Sequence, residues 1–126
     1  MEHEMLIVED DYAFRWALAM RCNKKGIEAD VAENGREALD LLKRKGSQYC
    51  CVILDLRIPQ PSGPEILDEL SSRESPPSVL VVTAHPELAE RVENSTLIAD
   101  TMLKPVDVAD VVNAAVSHCR HVQPAA

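Results

Sequence analysis

The chain has 126 residues, 46% of them hydrophobic, with 21 acidic against 13 basic side chains and a formal net charge of −8. That length suits one domain with one core, and with one Trp, two Tyr and one Phe the core has to be Val, Leu, Ile and Ala. The charge argues against direct binding of nucleic acid or an anionic membrane surface, no apolar run is long enough for a membrane span, and the first residues do not read as a signal peptide. A cytoplasmic setting is expected.

Met5 to Val8 reads as a short buried strand ending on Glu9, Asp10 and Asp11. A helix is predicted from Tyr12 to Lys25, stopped by Gly26. Stepping it at about 100° per residue puts Phe14, Ala17, Leu18 and Cys22 toward the core. Tyr12, Trp16 and Met20 then fall on the outer stripe. A lone exposed Trp can lie over a neighbouring loop, but a row of three apolar side chains reads better as a partner-anchoring patch.

Glu28 to Ala32 alternates weakly, as an edge strand does. Asn34-Gly35 opens a helix with Ala38, Leu41 and Leu42 on one face, ending near Gly46. Val52, Ile53 and Leu54 make a run suited to a strand buried on both faces. It ends on Asp55 before a turn through Pro59, Pro61 and Gly63. Pro64 and Glu65 lead the next helix, with Ile66, Leu67 and Leu70 inward. Val79 to Ala84 is a second fully buried strand, Pro86 to Glu93 a short helix, and Asp100 to Pro105 the fifth strand with its exit loop. The last helix is predicted from Val106 to Arg120, with Val108, Val111, Val112, Ala115 and Cys119 on one stripe. The domain is expected over residues 1–121, and 122–126 as a tail or the start of a linker. Cys22, Cys50, Cys51 and Cys119 have no zinc-ligand spacing, and a bond between neighbouring Cys50 and Cys51 would be strained. They are expected as reduced, buried small hydrophobes.

Five strands alternating with five helices predict an α/β fold: a single five-stranded parallel sheet flanked by five helices on both faces. All strand carboxyl ends then share one edge, where open α/β sheets gather ligand chemistry. Strand one brings Glu9 and Asp10 there, strand three Asp55, strand four Thr83 and strand five Lys104. Singly, each could be a helix cap, a strand residue or a solvated charge. Together the three carboxylates would raise one another's pKa unless a cation neutralised them. Oxygen donors suit a hard divalent ion, Mg2+ foremost. A hydroxyl and an ammonium opposite it suit a phosphoryl group held from two sides, with Asp55 as carboxylate nucleophile.

Through Leu6-Ile7-Val8-Glu9-Asp10-Asp11, Leu54-Asp55 with Pro59 and Gly63, Val82-Thr83-Ala84, and Leu103-Lys104-Pro105, the sequence resembles the receiver domains of two-component response regulators along nearly its whole length. The resemblance implies a flavodoxin-like, doubly wound (βα)5 fold. It implies a signalling switch in which Asp55 takes a phosphoryl group from a sensor histidine kinase or a histidine phosphotransfer domain. A downstream protein or a further output domain would read the change. Such a domain catalyses only its own phosphorylation and dephosphorylation. By the same resemblance Asp10, Asp55 and the Arg57 backbone carbonyl would ligate Mg2+, with Glu9 acting through water. Thr83 and Lys104 would hold phosphoryl oxygens, and Lys104-Pro105 would be a cis peptide. The first helix, with Tyr12, Trp16 and Met20, is the one receivers commonly present to their donor.

Two positions depart from the family pattern. Thr101 stands where an aromatic is usual, and Leu97-Ile98 replaces a small Gly-Ala pair, so the conformational response is expected in the segment 84–94 instead. Arg57 and His85 are expected at the pocket rim, either as solvated loop residues or with the long guanidinium shielding the phosphoryl group from water. A haloacid-dehalogenase-like phosphatase would share the Asp, Thr, Lys and Mg2+. It needs a second Asp where Arg57 stands, and a cap for which this chain has no room. A degenerate receiver that only binds is disfavoured because every pocket residue is present.

Overall fold

Short apolar runs alternating with amphipathic stretches can bury their backbone polar groups by pairing side by side with helices laid across both faces. The computed structural model, which describes residues 4–119, does this. The elements are β1 (Glu4–Val8), α1 (Tyr12–Lys24), β2 (Glu28–Ala32), α2 (Gly35–Lys45), β3 (Tyr49–Leu54), α3 (Gly63–Ser71), β4 (Ser78–Thr83), α4 (Pro86–Val92), β5 (Ile98–Leu103) and α5 (Val108–Ser117). A single 3-10 turn, Gly46–Gln48, joins α2 to β3. The strands form one parallel sheet in the order β2-β1-β3-β4-β5. The winding therefore reverses between β1 and β3, and a crevice opens there at the carboxyl edge.

The pleat of β3 divides the core. Val52 and Leu54 pack with Ala38, Leu42, Ile66 and Leu70 beneath α2 and α3, while Cys51 and Ile53 pack with Leu18, Cys22, Val111 and Ala115 beneath α1 and α5. The core is not wholly aliphatic. Tyr49 is 1% exposed, and its hydroxyl donates to Asp30 at 2.6 Å, the polar outlet a buried tyrosine needs.

Local signals set the helix ends. Asp11 caps α1, its Oδ2 accepting from the Phe14 N–H at 2.8 Å. Gly26, at φ +75°, ends it: the Gly26 N–H donates to the Asn23 carbonyl and the Ile27 N–H to that of Cys22. Asn34 caps α2, and Ser62 forms a capping box with Glu65 on α3. α5 starts later than periodicity suggests because the Asp107 side chain accepts from the Ala109 N–H and caps it. β5 starts earlier, at Ile98, and a register shift opposite Val79 and Leu80 lets Ala99 bulge out. Arg120 and the tail at 122–126 lie outside the described residues.

The reading of all four cysteines as reduced needs correction. Cys50 at the start of β3 and Cys119 just after α5 form a disulfide across 69 residues of sequence, with Cα atoms 4.7 Å apart. Cys22 and Cys51 are free and buried. Sequence adjacency drew attention to the pair Cys50-Cys51, whereas packing of α5 against β3 decides the partner.

Two tight approaches hold the loop that follows Asp55. The Gly63 N–H donates to the Leu56 carbonyl at 3.0 Å, and a Cβ on Gly63 would lie 2.5 Å from Leu56 Cα. A Cβ on Gly35 would strike the Pro61 carbonyl. Gly63→Ala should therefore destabilise the fold by about 1–3 kcal/mol, since backbone has to move to admit one methyl. Urea titration of the two proteins measures this; an unchanged midpoint would mean that the loop relaxes freely.

Candidate functional site

The carboxyl edge is ordered by ladder hydrogen bonds that run one residue past the strands. The Glu9 N–H donates to the Ala32 carbonyl at 3.0 Å, Asp55 N–H to Val8 at 3.0 Å, and Lys104 N–H to Thr83 at 2.9 Å. These bonds hold the backbones of Glu9, Asp55 and Lys104 in register, so side chains 46 to 95 residues apart in sequence meet. The Lys104 ammonium lies 2.7 Å from Glu9 Oε1 and 3.0 Å from Asp55 Oδ2. Glu9 is 2% exposed and Asp55 6%, while Asp10 stands open to solvent beside them. One carboxylate oxygen from each of Glu9, Asp10 and Asp55 lies within 4.8 Å of the others.

Each neighbour has a definite task. Of the acidic triplet, Asp11 is the helix cap, and its own N–H donates to Glu9 Oε2 at 3.0 Å. Glu9 and Asp10 are thus left for the pocket. Arg15, one turn into α1, donates from Nη1 to the backbone carbonyls of Glu9 at 2.9 Å and Asp10 at 3.4 Å. Sequence reasoning passed over this arginine; its place one helical turn after the acids was the available signal. The Arg57 N–H donates to Asp55 Oδ1 at 3.1 Å, so the backbone after Asp55 curls back over the carboxylate. Thr83 is fully buried, and its Oγ1 accepts from the His85 N–H at 3.2 Å.

The remaining expected residues lie around this cluster. The Arg57 side chain is exposed and lines a cavity of about 250 Å3 with Glu87, Leu88 and Arg91. His85 Nδ1 sits 3.2 Å from Glu87 Oε1. Tyr12, Trp16 and Met20 lie apart on the outer face of α1, at 71%, 57% and 52% exposure. Thr101 is exposed on β5, the open edge of the sheet. The Lys104–Pro105 peptide is cis, and so is Gln60–Pro61.

Burial pushes the Glu9 carboxyl above its ordinary value, and the nearby Asp55 charge adds to this against the hydrogen bonds from Lys104 and the Asp11 N–H. Burial alone would lower the Lys104 pKa, but its hydrogen bonds to Glu9 and Asp55 outweigh that and hold it above the ordinary value. The donor set fits a hard divalent cation: three carboxylates with oxygens in reach of one another, and a single ammonium to offset them.

Comparison with known proteins bears on the family and the fold. Residues 5–116 match the family model of the response regulator receiver domain. The transcriptional regulatory protein SrrA of Staphylococcus aureus (strain NCTC 8325) is 33% identical over 113 residues, 89% of this chain and 46% of that protein. The chain thus spans about half the length of the curated relatives it matches. Among solved structures, a CheY-like receiver domain from Methylobacillus flagellatus superposes with a TM-score of 0.74 at 24% identity, covering 93% of this chain and 98% of that one. A CheY-like receiver domain protein from Methanospirillum hungatei JF-1 gives 0.81 at 20% identity, covering 93% of each. These two likenesses speak to the fold. Among the described residues no helix is long and apolar enough to cross a membrane.

A raised Glu9 pKa means that the folded protein takes up this proton more readily than the unfolded chain, so folding loses stability as pH rises through it. Glu9→Gln removes that loss and keeps an acceptor for Lys104. Without metal the variant should be the more stable protein at neutral pH, with the gain fading as pH falls toward the ordinary value of 4.5. Denaturant titrations at both pH values in chelator test this; a less stable variant at neutral pH would mean that the ion pair with Lys104 outweighs the cost of burial.

Proposed function

We propose, for a chain that belongs to the response regulator receiver domain family, that it is a phosphorylatable switch with Asp55 as acceptor. The observation that carries this reading is the Lys104 ammonium 3.0 Å from Asp55 Oδ2, beside two further carboxylates at the switch point of the sheet. An Asp55 oxygen attacks phosphorus, the new O–P bond forms, and the P–N bond to the donor imidazole breaks, its electron pair leaving with the ring nitrogen. A divalent cation, Mg2+ foremost, held by Asp10, Asp55 and the Arg57 carbonyl with Glu9 behind them, would supply positive charge against the carboxylates and the incoming oxygens. Lys104 turns from the Asp55 oxygen to a phosphoryl oxygen. The Thr83 hydroxyl gives up its bond with the His85 N–H and turns to the same group. The backbone at 84–94 follows, carrying the start of α4.

The domain unit is assigned to residues 1–121, with 122–126 as a tail or the start of a linker, and its role is regulatory: it acts on its own aspartate only. Its donor is a sensor histidine kinase or a histidine phosphotransfer domain, and its reader a downstream protein or an output domain. Donor docking is assigned to Tyr12, Trp16 and Met20. Trp16 and Met20 continue into a cleft of about 450 Å3 beside β2 that also takes in Ile27, Asp30 and Lys45. An exposed Trp flanked by Met and Tyr suits an interface anchor.

Acetyl phosphate with Mg2+ should label the protein once, and chelator or Asp55→Asn should abolish the label. Label persisting in Asp55→Asn would overturn the assignment, and sustained release of phosphate from simple esters would favour a phosphatase.

Trp16→Ala should slow transfer from a phosphorylated histidine domain about tenfold while leaving labelling by acetyl phosphate unchanged. Equal loss with both donors would place Trp16 in the framework of the domain instead.

A further inference from the structure

Phe14 stands one turn into α1, half-buried, four residues after Asp10. Its ring lies against the Lys104 ammonium, with Nζ 5.0 Å from the ring centroid. An ammonium carries three N–H donors. Glu9 Oε1 and Asp55 Oδ2 take two of them, and the ring offers the remaining side of the charge a negative π face. Such a contact strengthens where water is excluded, and the Lys104 side chain keeps only 22% of its exposure. The ring also walls the open groove that Lys104 lines with Ala84, Pro105 and Val106. The helix carrying it is fastened to the acidic loop by the Asp11 cap and the Arg15 guanidinium.

We infer that Phe14 is a positioning residue for phosphorylation of Asp55, holding the Lys104 ammonium at the acceptor through a cation–π contact. This rests on the roles proposed for Asp55 and Lys104. In the resting protein the ring is the weakest of three partners. When Asp55 takes a phosphoryl group and a cation draws on the pocket carboxylates, the ammonium exchanges its two carboxylate partners for a phosphoryl oxygen. The ring stays where it is, neutral and unable to titrate. Its hold on Lys104 therefore counts for more in the transition state than in the ground state, and only such a difference changes a rate. A leucine here would fill much of the same space without the quadrupole.

Mono-, di- and trifluorinated phenylalanine at position 14 withdraw electron density from the ring stepwise with little change of shape. With saturating Mg2+, the rate of labelling by acetyl phosphate should fall along the series by roughly three- to tenfold in total, and Phe14→Leu should be as slow as the slowest. In a Lys104→Ala background the series should be flat. In the metal-free protein, the Lys104 Cε protons should show an upfield ring-current shift in NMR spectra that Phe14→Leu removes. Equal rates along the series, in protein that labels normally at Asp55, would overturn the inference and leave the phosphoacceptor reading standing. So would a slope that survives Lys104→Ala. Failure of the unmodified protein to label would overturn the phosphoacceptor reading and with it any role for Phe14 in the reaction, whereas the ring-current shift reports the contact itself.

Discussion

Three carboxylates crowded at one end of a parallel sheet repel each other, and the ammonium of Lys104 is what lets two of them be buried. Glu9 and Asp55 are both nearly inaccessible, and the lysine bridges them at 2.7 and 3.0 Å from a strand on the far side of β4. Separating that lysine from the pair would leave buried charge without compensation, which is among the costliest local defects a fold can carry. The pocket thus stands in a balance that a hard cation or an incoming anion can tip. Under the proposed function a cation would relieve the carboxylates and free the lysine, and a phosphoryl group would give that lysine a new partner.

The scaffold keeps this balance by fixing backbones more than side chains. The ladder bonds beyond β1, β3 and β5 set the three attachment points to within a hydrogen-bond length. The Arg15 guanidinium pins the carbonyls of the acidic loop, and Gly63 and Gly35 let the loop after Asp55 pack where no side chain would fit. Thr83 is the exception. Its hydroxyl is tied to the N–H of His85, at the N-terminus of α4, which has seven residues and no buried ones. A short helix with little burial reorganises at low cost, which suits the one pocket group whose movement would be felt outside the site.

The output side departs from family habit. Thr101 is exposed on the edge strand, and Leu103 on the same strand is 49% exposed. With Thr101 in place of an aromatic, the proposed switch would carry its change through the backbone of the β4–α4 connection. On the far side, the Cys50–Cys119 disulfide anchors the chain just after α5 to the start of β3.

Much of this was legible in the residues alone. Apolar runs of fixed length, punctuated by Gly26, Asn34-Gly35 and the prolines around Gly63, determined the order of strands and helices, because burial and turn chemistry are local. Parallel pairing followed from the alternation, and with it the gathering of Glu9, Asp10, Asp55, Thr83 and Lys104 on one edge. What tertiary structure decided were the matters of contact between segments distant in sequence. Lys104 reaches Glu9 as well as Asp55; Phe14, predicted merely to face the core, meets the lysine; Cys50 pairs with Cys119 and not with its neighbour. Periodicity states which face a side chain takes. Only packing states whom it meets there, since that depends on strand register, helix placement and the ångström-scale fit of the layers.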